Sequence, residues 1–231
     1  MGIWSGFWLL GLIWGASFML IRVGVESVHP LHLVFLRVGI AAVCLCLIVM
    51  AMRKAIPRDF KTLVAIFVIG IGNTVIPFLL ITWGEQTVES SMAAVLQATA
   101  ALFTLVTAHF AFADERITPQ KIAGLMLGFI GVIVLSGRNL QDGDLLSGSF
   151  AGQMAIVLAS VFYAIFTTYS RKLIKGQVEP IVIAAGTMLS SALITGAMII
   201  IGAALGLIDY AIEGALPSVA LPAIFTLAVI N

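Results

Sequence analysis

The sequence predicts an all-α, multi-span helical membrane protein made of two inverted five-helix repeats. Three observations predict it. Of 231 residues, 61% are hydrophobic and 10% charged, whereas a soluble domain averages about 25% charged residues. The apolar residues fall into eight segments, most of them long enough to cross a bilayer core at 1.5 Å per residue. A weak internal repeat relates the two ends of the chain.

The segments run over Trp4–Val25, Leu31–Met52, Thr62–Trp83, Val88–Phe112, Ile117–Ser136, Phe150–Tyr169, Ile181–Leu207 and Pro217–Asn231. The first lacks a basic leader and runs directly into apolar sequence, so it reads as a span and not as a cleaved signal. Segments four and five are joined by a short charged turn, Asp114-Glu115-Arg116-Ile117-Thr118, so they must lie side by side and antiparallel. Gly124, Gly128 and Gly131 on segment five allow another helix to approach closely. The eighth segment is short for a span and ends at Asn231 without a polar tail, as if cut inside a helix.

Lysine and arginine placement sets the expected orientation. Arg53, Lys54, Arg58 and Lys61 follow segment two, Arg116 and Lys121 follow segment four, and Arg171, Lys172 and Lys175 follow segment six. The opposite connections carry Glu26, Glu85, Glu89, Asp142, Asp144, Asp209 and Glu213. The N-terminus is therefore expected in the cytoplasm.

The repeat rests on ordered matches. Ala65-Ile66-Phe67 and Asn73 return as Ala223-Ile224-Phe225 and Asn231; Trp14 to Arg22 aligns with Tyr163 to Arg171, and Pro30 with Pro180. Segment one thus pairs with segment six and segment three with segment eight. An odd number of spans per unit inverts the second copy in the membrane, as in many secondary transporters. The units are 1–147 and 148–231, the second incomplete at its C-terminus. Completing it would take about 60 more residues, giving ten spans where about eight are present.

Function should reside in polar groups that the apolar spans cannot ignore. Pro77 cannot donate to the carbonyl of Asn73, four residues back. Both the carbonyl and the amide of Asn73 then need partners at mid-depth, from a packed neighbour or from a water-lined cavity. Ser90, Ala94, Gln97, Ala101, Thr104 and Ala108 form a stripe on segment four. Small residues at that spacing make a packing seam, and Gln97 is the member whose amide must be paired. Arg37 has three readings: contact with an anion or carboxylate, a structural pair with Glu26 or another outer acid, or snorkelling outward. Trp14 and Tyr163 are deep aromatics, suited to core packing or to walling a substrate space; Ser160 and Thr167 share the face of Tyr163. The candidate substrate-binding set is Trp14, Arg37, Asn73, Pro77, Gln97, Tyr163 and Asn231.

Other chemistry is not signalled. Cys44 and Cys46 point to different sides of a helix and read as apolar filler. The histidines form no metal constellation. No phosphate loop or nucleophile–base motif is recognisable, so no cofactor, metal or catalytic residue is expected. Net charge near zero gives no reason to invoke nucleic acid. No carboxylate lies in the middle of a segment, so proton coupling would need an acid near a span end or outside this sequence.

Together these residues resemble the EamA family of the drug/metabolite transporter superfamily. The resemblance rests on Trp14-Gly15-Ala16-Ser17-Phe18, on Pro30 followed by Arg37, on Trp83-Gly84-Glu85-Gln86, and on Asp114-Glu115-Arg116-Ile117-Thr118 followed by Gly124 and Gly131. It covers the first unit well and the second loosely. It implies ten spans, alternating access, and export of amino acids, related metabolites or drugs across a bacterial-type inner membrane. The expected partners are a small-molecule substrate and the lipid bilayer. The family commonly has a proline in the middle of span four, where this chain has Ala100-Ala101; that removes the proline-based reason to expect a helix break there. The competing readings are a membrane-embedded enzyme, which would show clustered His, Asp or Cys, and a receptor or assembly subunit, which would show a large soluble domain or a long basic tail.

The orientation is testable by cysteine labelling of intact cells. Cysteines replacing Lys54 and Lys172 should be protected from an impermeant reagent, and those replacing Asp142 and Glu213 should react. The reverse pattern would invert the topology.

Overall fold

The structure is a computed structural model that describes residues 3–26, 28–115, 117–137, 148–174, 178–206, 222 and 225–228. Among these residues there is no strand, and six helices are long and apolar enough to cross a membrane. Large apolar side chains such as Trp8, Leu12, Leu47, Phe67, Leu127 and Leu193 are exposed on the outside of the bundle, as expected of a protein solvated by lipid.

Helix α1 spans Ile3–Val25 and α2 spans Pro30–Ala51. Pro30 occupies the first turn of α2, where its missing N–H costs nothing, and His29 Nδ1 caps the helix by accepting from the Leu31 N–H at 3.3 Å. Helix α2 ends in a complete Schellman pattern. The Lys54 N–H reaches back to the Val49 carbonyl at 3.2 Å, the Arg53 N–H reaches the Met50 carbonyl at 3.1 Å, and Arg53 takes the left-handed φ of 48°.

The third span is built in three parts: α3 (Phe60–Gly70), a π-helical turn (Ile71–Val75) and α4 (Ile76–Gly84). Asp59 caps α3 by accepting from the Thr62 N–H at 2.8 Å, a bond that holds its exposed carboxyl below its ordinary range. The fourth span is also divided, into α5 (Ser90–Gln97) and α6 (Thr99–Ala111). Helices α7 (Pro119–Gly137), α8 (Gly148–Ile174) and α9 (Pro180–Ala204) follow. Of the expected eighth segment, only residue 222 and residues 225–228 are described; Leu227 and Ala228 are buried.

Helix α8 is the centre of the packing, lying against α3, α4, α5 and α6. Helix α9 lies along α2 and α3. Val49, near the end of α2, packs with Val182 and Ala185 near the start of α9. Phe35, near the start of α2, meets Gly196 late in α9. The two helices therefore run antiparallel. Helix α7 packs chiefly on α6, through Gly128 against Leu102 and Phe103 against Phe129 at 5.4 Å between ring centres. Of the three glycines on this segment, only Gly128 meets a neighbour; Gly124 and Gly131 face open space within the described residues.

Charged contacts sort the connections into two ends. At one end Arg22 pairs with Glu26 at 3.4 Å and donates to the Glu85 and Gln86 carbonyls. At the other, Lys54 pairs with Glu179 and Arg171 with Glu115, each at 2.9 Å. Arg171 also lies over Phe112, 4.6 Å from its ring centre. His109 Nδ1 accepts the Ile117 N–H at 3.2 Å, closing the turn between α6 and α7. These pairs are partly exposed, so each contributes about 1 kcal/mol at most; their main use is to fix which helix ends adjoin.

Helices α4 and α8 touch backbone to backbone. A methyl added at Gly84 would come within 2.7 Å of the Gly152 carbonyl oxygen, and one at Gly152 within 2.9 Å of the Gly84 oxygen. Main chain cannot step aside as a flexible side chain can. Gly84→Ala should therefore lower thermal stability in detergent, by about 1–3 kcal/mol. Gly39→Ala in α2, where nothing lies within 4 Å, should be neutral or stabilising by up to about 1 kcal/mol. Equal melting of both variants would remove the close approach as a constraint.

Candidate functional site

Two interruptions in the spans face α8. The first is the π-helical turn, in which the Ile76 N–H bonds to Ile71, five residues back. Pro77 follows, and its missing N–H leaves a gap in the ladder for Gly72 in the π register or Asn73 in the α register. The sequence pointed to the Asn73 carbonyl alone; the π register adds Gly72. Neighbouring helices supply polar partners to the turn. The Ser191 hydroxyl of α9 lies 3.2 Å from the Gly70 carbonyl and 2.7 Å from its own Thr187 carbonyl. Thr167 of α8 donates its hydroxyl to Asn73 Oδ1 at 3.2 Å. Gly72 sits against the Phe166 ring, where a methyl would overlap it.

The second interruption is at Ala98, although Ala100-Ala101 in place of a proline argued against a break in this span. The Ala98 N–H is shared between the Ala94 and Val95 carbonyls, both at 3.2 Å, and the Ala101 N–H bonds to Ala98, three residues back. Hydroxyls take the place of a proline. Thr99 Oγ1 donates to the Leu96 carbonyl at 2.6 Å, which competes with the helical ladder. The Ser160 hydroxyl of α8 lies 3.2 Å from its own Ile156 carbonyl, 3.3 Å from Gln97 Oε1 and 3.5 Å from both the Leu96 and Gln97 carbonyls, so its one proton is shared among them.

Ser160, Tyr163 and Thr167 therefore form a row on α8, spread over about 10 Å of helix axis. Ser160 meets Gln97, and Thr167 meets Asn73. Tyr163 packs with Phe18 around the buried cluster of Ile21, Leu33, Ile81 and Ala159. Arg37 joins them through Phe78, the residue after Pro77: its guanidinium carbon lies 3.9 Å above the ring centre. Such a contact is worth about 2 kcal/mol when desolvated. Arg37 is buried, its Nε has no hydrogen-bond partner among the described residues, and Tyr163 and Glu85 lie within its electrostatic reach. It borders a small cavity of about 10 Å³ with Ala41, Phe78, Met188, Leu227 and Ala228, room for about one water.

Five of the seven sequence candidates lie on or against α4 or α8: Arg37 against Phe78 of α4, Asn73 and Gln97 against α8, Pro77 in α4 and Tyr163 in α8. Trp14 stands apart; it is 61% exposed on α1, with open space beside Gly11 and Gly15 on its face. Asn231 lies outside the described residues. No group of three metal-ligating side chains occurs among the described residues.

Glu85 and Gln153 are two buried polar residues outside the candidate substrate-binding set. Both are fully buried, with Gln153 Oε1 and both carboxyl oxygens of Glu85 lacking a partner among the described residues. Glu85 sits one residue beyond its span and so reads as a turn residue. The structure instead buries it together with Gly84 and Val88 on either side of it in a short connection. Burial pushes its carboxyl up to about 8, against the opposing pull of Arg22, Ser90 and Arg37. The Ser90 hydroxyl itself bonds to the Phe18 carbonyl at 3.2 Å.

The EamA-like transporter family model matches residues 3–137, more than half of the chain. The chain belongs to the EamA-like transporter family. This EamA chain is 26% identical over 185 residues to an uncharacterized transporter of Archaeoglobus fulgidus, covering 80% of this chain and 61% of that protein. It is 30% identical over 167 residues to the protein PagO of Salmonella typhimurium, covering 72% and 54%. A probable amino-acid metabolite efflux pump of the same organism is 28% identical over 174 residues, covering 75% and 55%. The chain spans between about half and three-fifths of the length of these relatives. A solved crystal structure superposes with a TM-score of 0.62 at 17% identity, covering 95% of this chain and 75% of that one, a likeness of fold.

A pH-dependent stability follows from Glu85. Between its ordinary value of 4.5 and about 8, the folded chain holds a proton that the unfolded chain has lost. Stability should therefore fall as pH rises through that window and level off above it. Glu85→Gln should flatten this part of the melting-temperature profile measured in detergent. An unchanged slope in the variant would place the titration elsewhere.

Proposed function

We propose that the full-length protein is a secondary transporter that exports amino acids or related small metabolites by alternating access, with its N-terminus in the cytoplasm. The observation that carries this reading is the convergence of two helix interruptions, at Ile71–Val75 and at Ala98, on the single polar row of α8. Carriers built from inverted repeats place substrate near the midplane where broken helices expose polar groups. Asn73 and Gln97 supply amides there, each bonded to one α8 hydroxyl and each with hydrogen-bonding capacity left over. Arg37 supplies a fixed positive charge suited to a carboxylate.

The antiparallel packing of α2 on α9 supports the repeat reading, because inverted copies give their second helices opposite directions. The similarity to a protein named a probable amino-acid metabolite efflux pump supports the choice of substrate class. Trp14 and Asn231 remain in the proposal as groups that approach the same space when the second unit is complete.

The test is transport by the full-length protein in proteoliposomes across an amino-acid panel. Asn73→Ala and Gln97→Ala should each weaken transport roughly tenfold at normal membrane expression, because losing a substrate hydrogen bond and stranding its partner costs about 1–3 kcal/mol. Cys44→Ala should leave transport unchanged. Normal kinetics in both amide variants would remove this site and leave Pro77 as a packing feature.

A further inference from the structure

We propose that Glu85 is a proton-binding site, a carboxyl carried protonated in this conformation that releases its proton to water when α4 parts from α8. On release the carboxyl O–H bond breaks, the proton leaves on water, and the charge stays on Glu85 within reach of the Arg37 guanidinium. No other reactant is needed.

Three features support this. First, Glu85 is completely buried and neither carboxyl oxygen has a hydrogen-bond partner among the described residues. An ionised carboxylate left so would carry a large desolvation penalty, whereas a neutral acid carries a small one. Second, two arginines lie near it and neither makes an ion pair with it. Arg22 is directed at the Glu85 and Gln86 main-chain carbonyls and at Glu26, and Arg37 is stacked on Phe78. An anion in this position would draw one of them into contact. Third, the cover over Glu85 is a contact that can separate. Gly84 and Gly152 bring the α4 and α8 backbones together, with the apolar Ile156 side chain packed beside Gly84, and the π-helical turn lies at the other end of α4.

Among the described residues, few other titratable groups face this end of the bundle. Helix α1 brings Arg22, with Glu26 just beyond it; α2 brings Arg37, and His29 and His32 at its start; α5 is preceded by Glu89; and α8 brings Tyr163. Of the acids, Glu26 and Glu89 are exposed. Among the described residues, Glu85 is the acid whose two carboxyl oxygens are both buried without a hydrogen-bond partner. The proton bound there could be exchanged once per opening, which would tie substrate movement to a pH gradient; that use rests on the transport reading, but the binding does not.

Infrared titration of the full-length protein in liposomes tests the site without any substrate. The wild-type protein should show a protonated-carboxyl stretch at neutral pH that shifts in heavy water and fades as pH rises through about 8. Glu85→Gln should abolish that band, and Glu89→Gln should retain it. Arg37→Met keeps the carboxyl and removes the nearby positive charge, so the band should then persist to higher pH, a change that a purely structural role would not produce. Absence of the band at neutral pH, its survival in Glu85→Gln, or an unmoved midpoint in Arg37→Met would overturn the proposal. An inactive amino-acid panel would defeat the transport reading and leave this titration unaffected.

Discussion

The structure depends on one constraint: a polar backbone group released inside an apolar slab must find a partner within the protein. Pro77 withholds a donor in span three, and Thr99 diverts a carbonyl in span four. Both disturbances would be intolerable on a helix facing lipid alone. Neighbouring helices meet both places: Ser160 of α8 lies beside the Leu96 and Gln97 carbonyls of span four, and at the turn of span three Thr167 of α8 bonds the Asn73 side chain while Ser191 of α9 lies beside the Gly70 carbonyl. Ser160 and Thr167 lie seven residues apart in the sequence, two turns of helix, which returns them to nearly the same face.

Close packing and polarity are coupled in the same place. Hydroxyl-to-amide bonds near 3.2 Å require helices to lie close, and small residues permit it. Gly84 and Gly152 bring α4 onto α8, Gly70 admits Ser190 and Ser191 of α9, and Gly72 admits Phe166. The glycines determine where helices meet, and the hydroxyls determine what the meeting can satisfy. Arg37 extends the logic to charge, with the Phe78 ring as its neighbour and no carboxylate within ion-pair distance among the described residues.

Much of this was legible in the sequence, for reasons that differ by residue. Hydropathy and length marked the spans, because lipid leaves no other structure available to long apolar runs. Pro77 announced a disturbance because its chemistry is local, although the π register, which adds Gly72, depends on packing against α8 and α9. The shared face of Ser160, Tyr163 and Thr167 followed from helical periodicity. The interruption at Ala98 was not legible, since its cause is a pair of hydroxyls, one of them on a helix far along the chain. Nor was the burial of Glu85 or Gln153, because a residue beside a span end is wet or dry according to tertiary packing. Trp14 shows the same limit: depth along a helix is readable, but the direction it faces is decided by neighbours.

The two interruptions differ in when they can come into being. The imino acid at 77 disturbs its helix from the moment that segment is made. The bend at Ala98 draws part of its support from Ser160, which lies 63 residues downstream of Gln97. At ribosomal speeds of about 5–20 residues per second, that partner emerges roughly 3–13 s later. The fourth span thus enters the bilayer before the sixth exists, with its carbonyls free to complete an ordinary ladder. Part of the geometry at Ala98 is then a product of assembly order, completed only when a later-born helix docks against an earlier one.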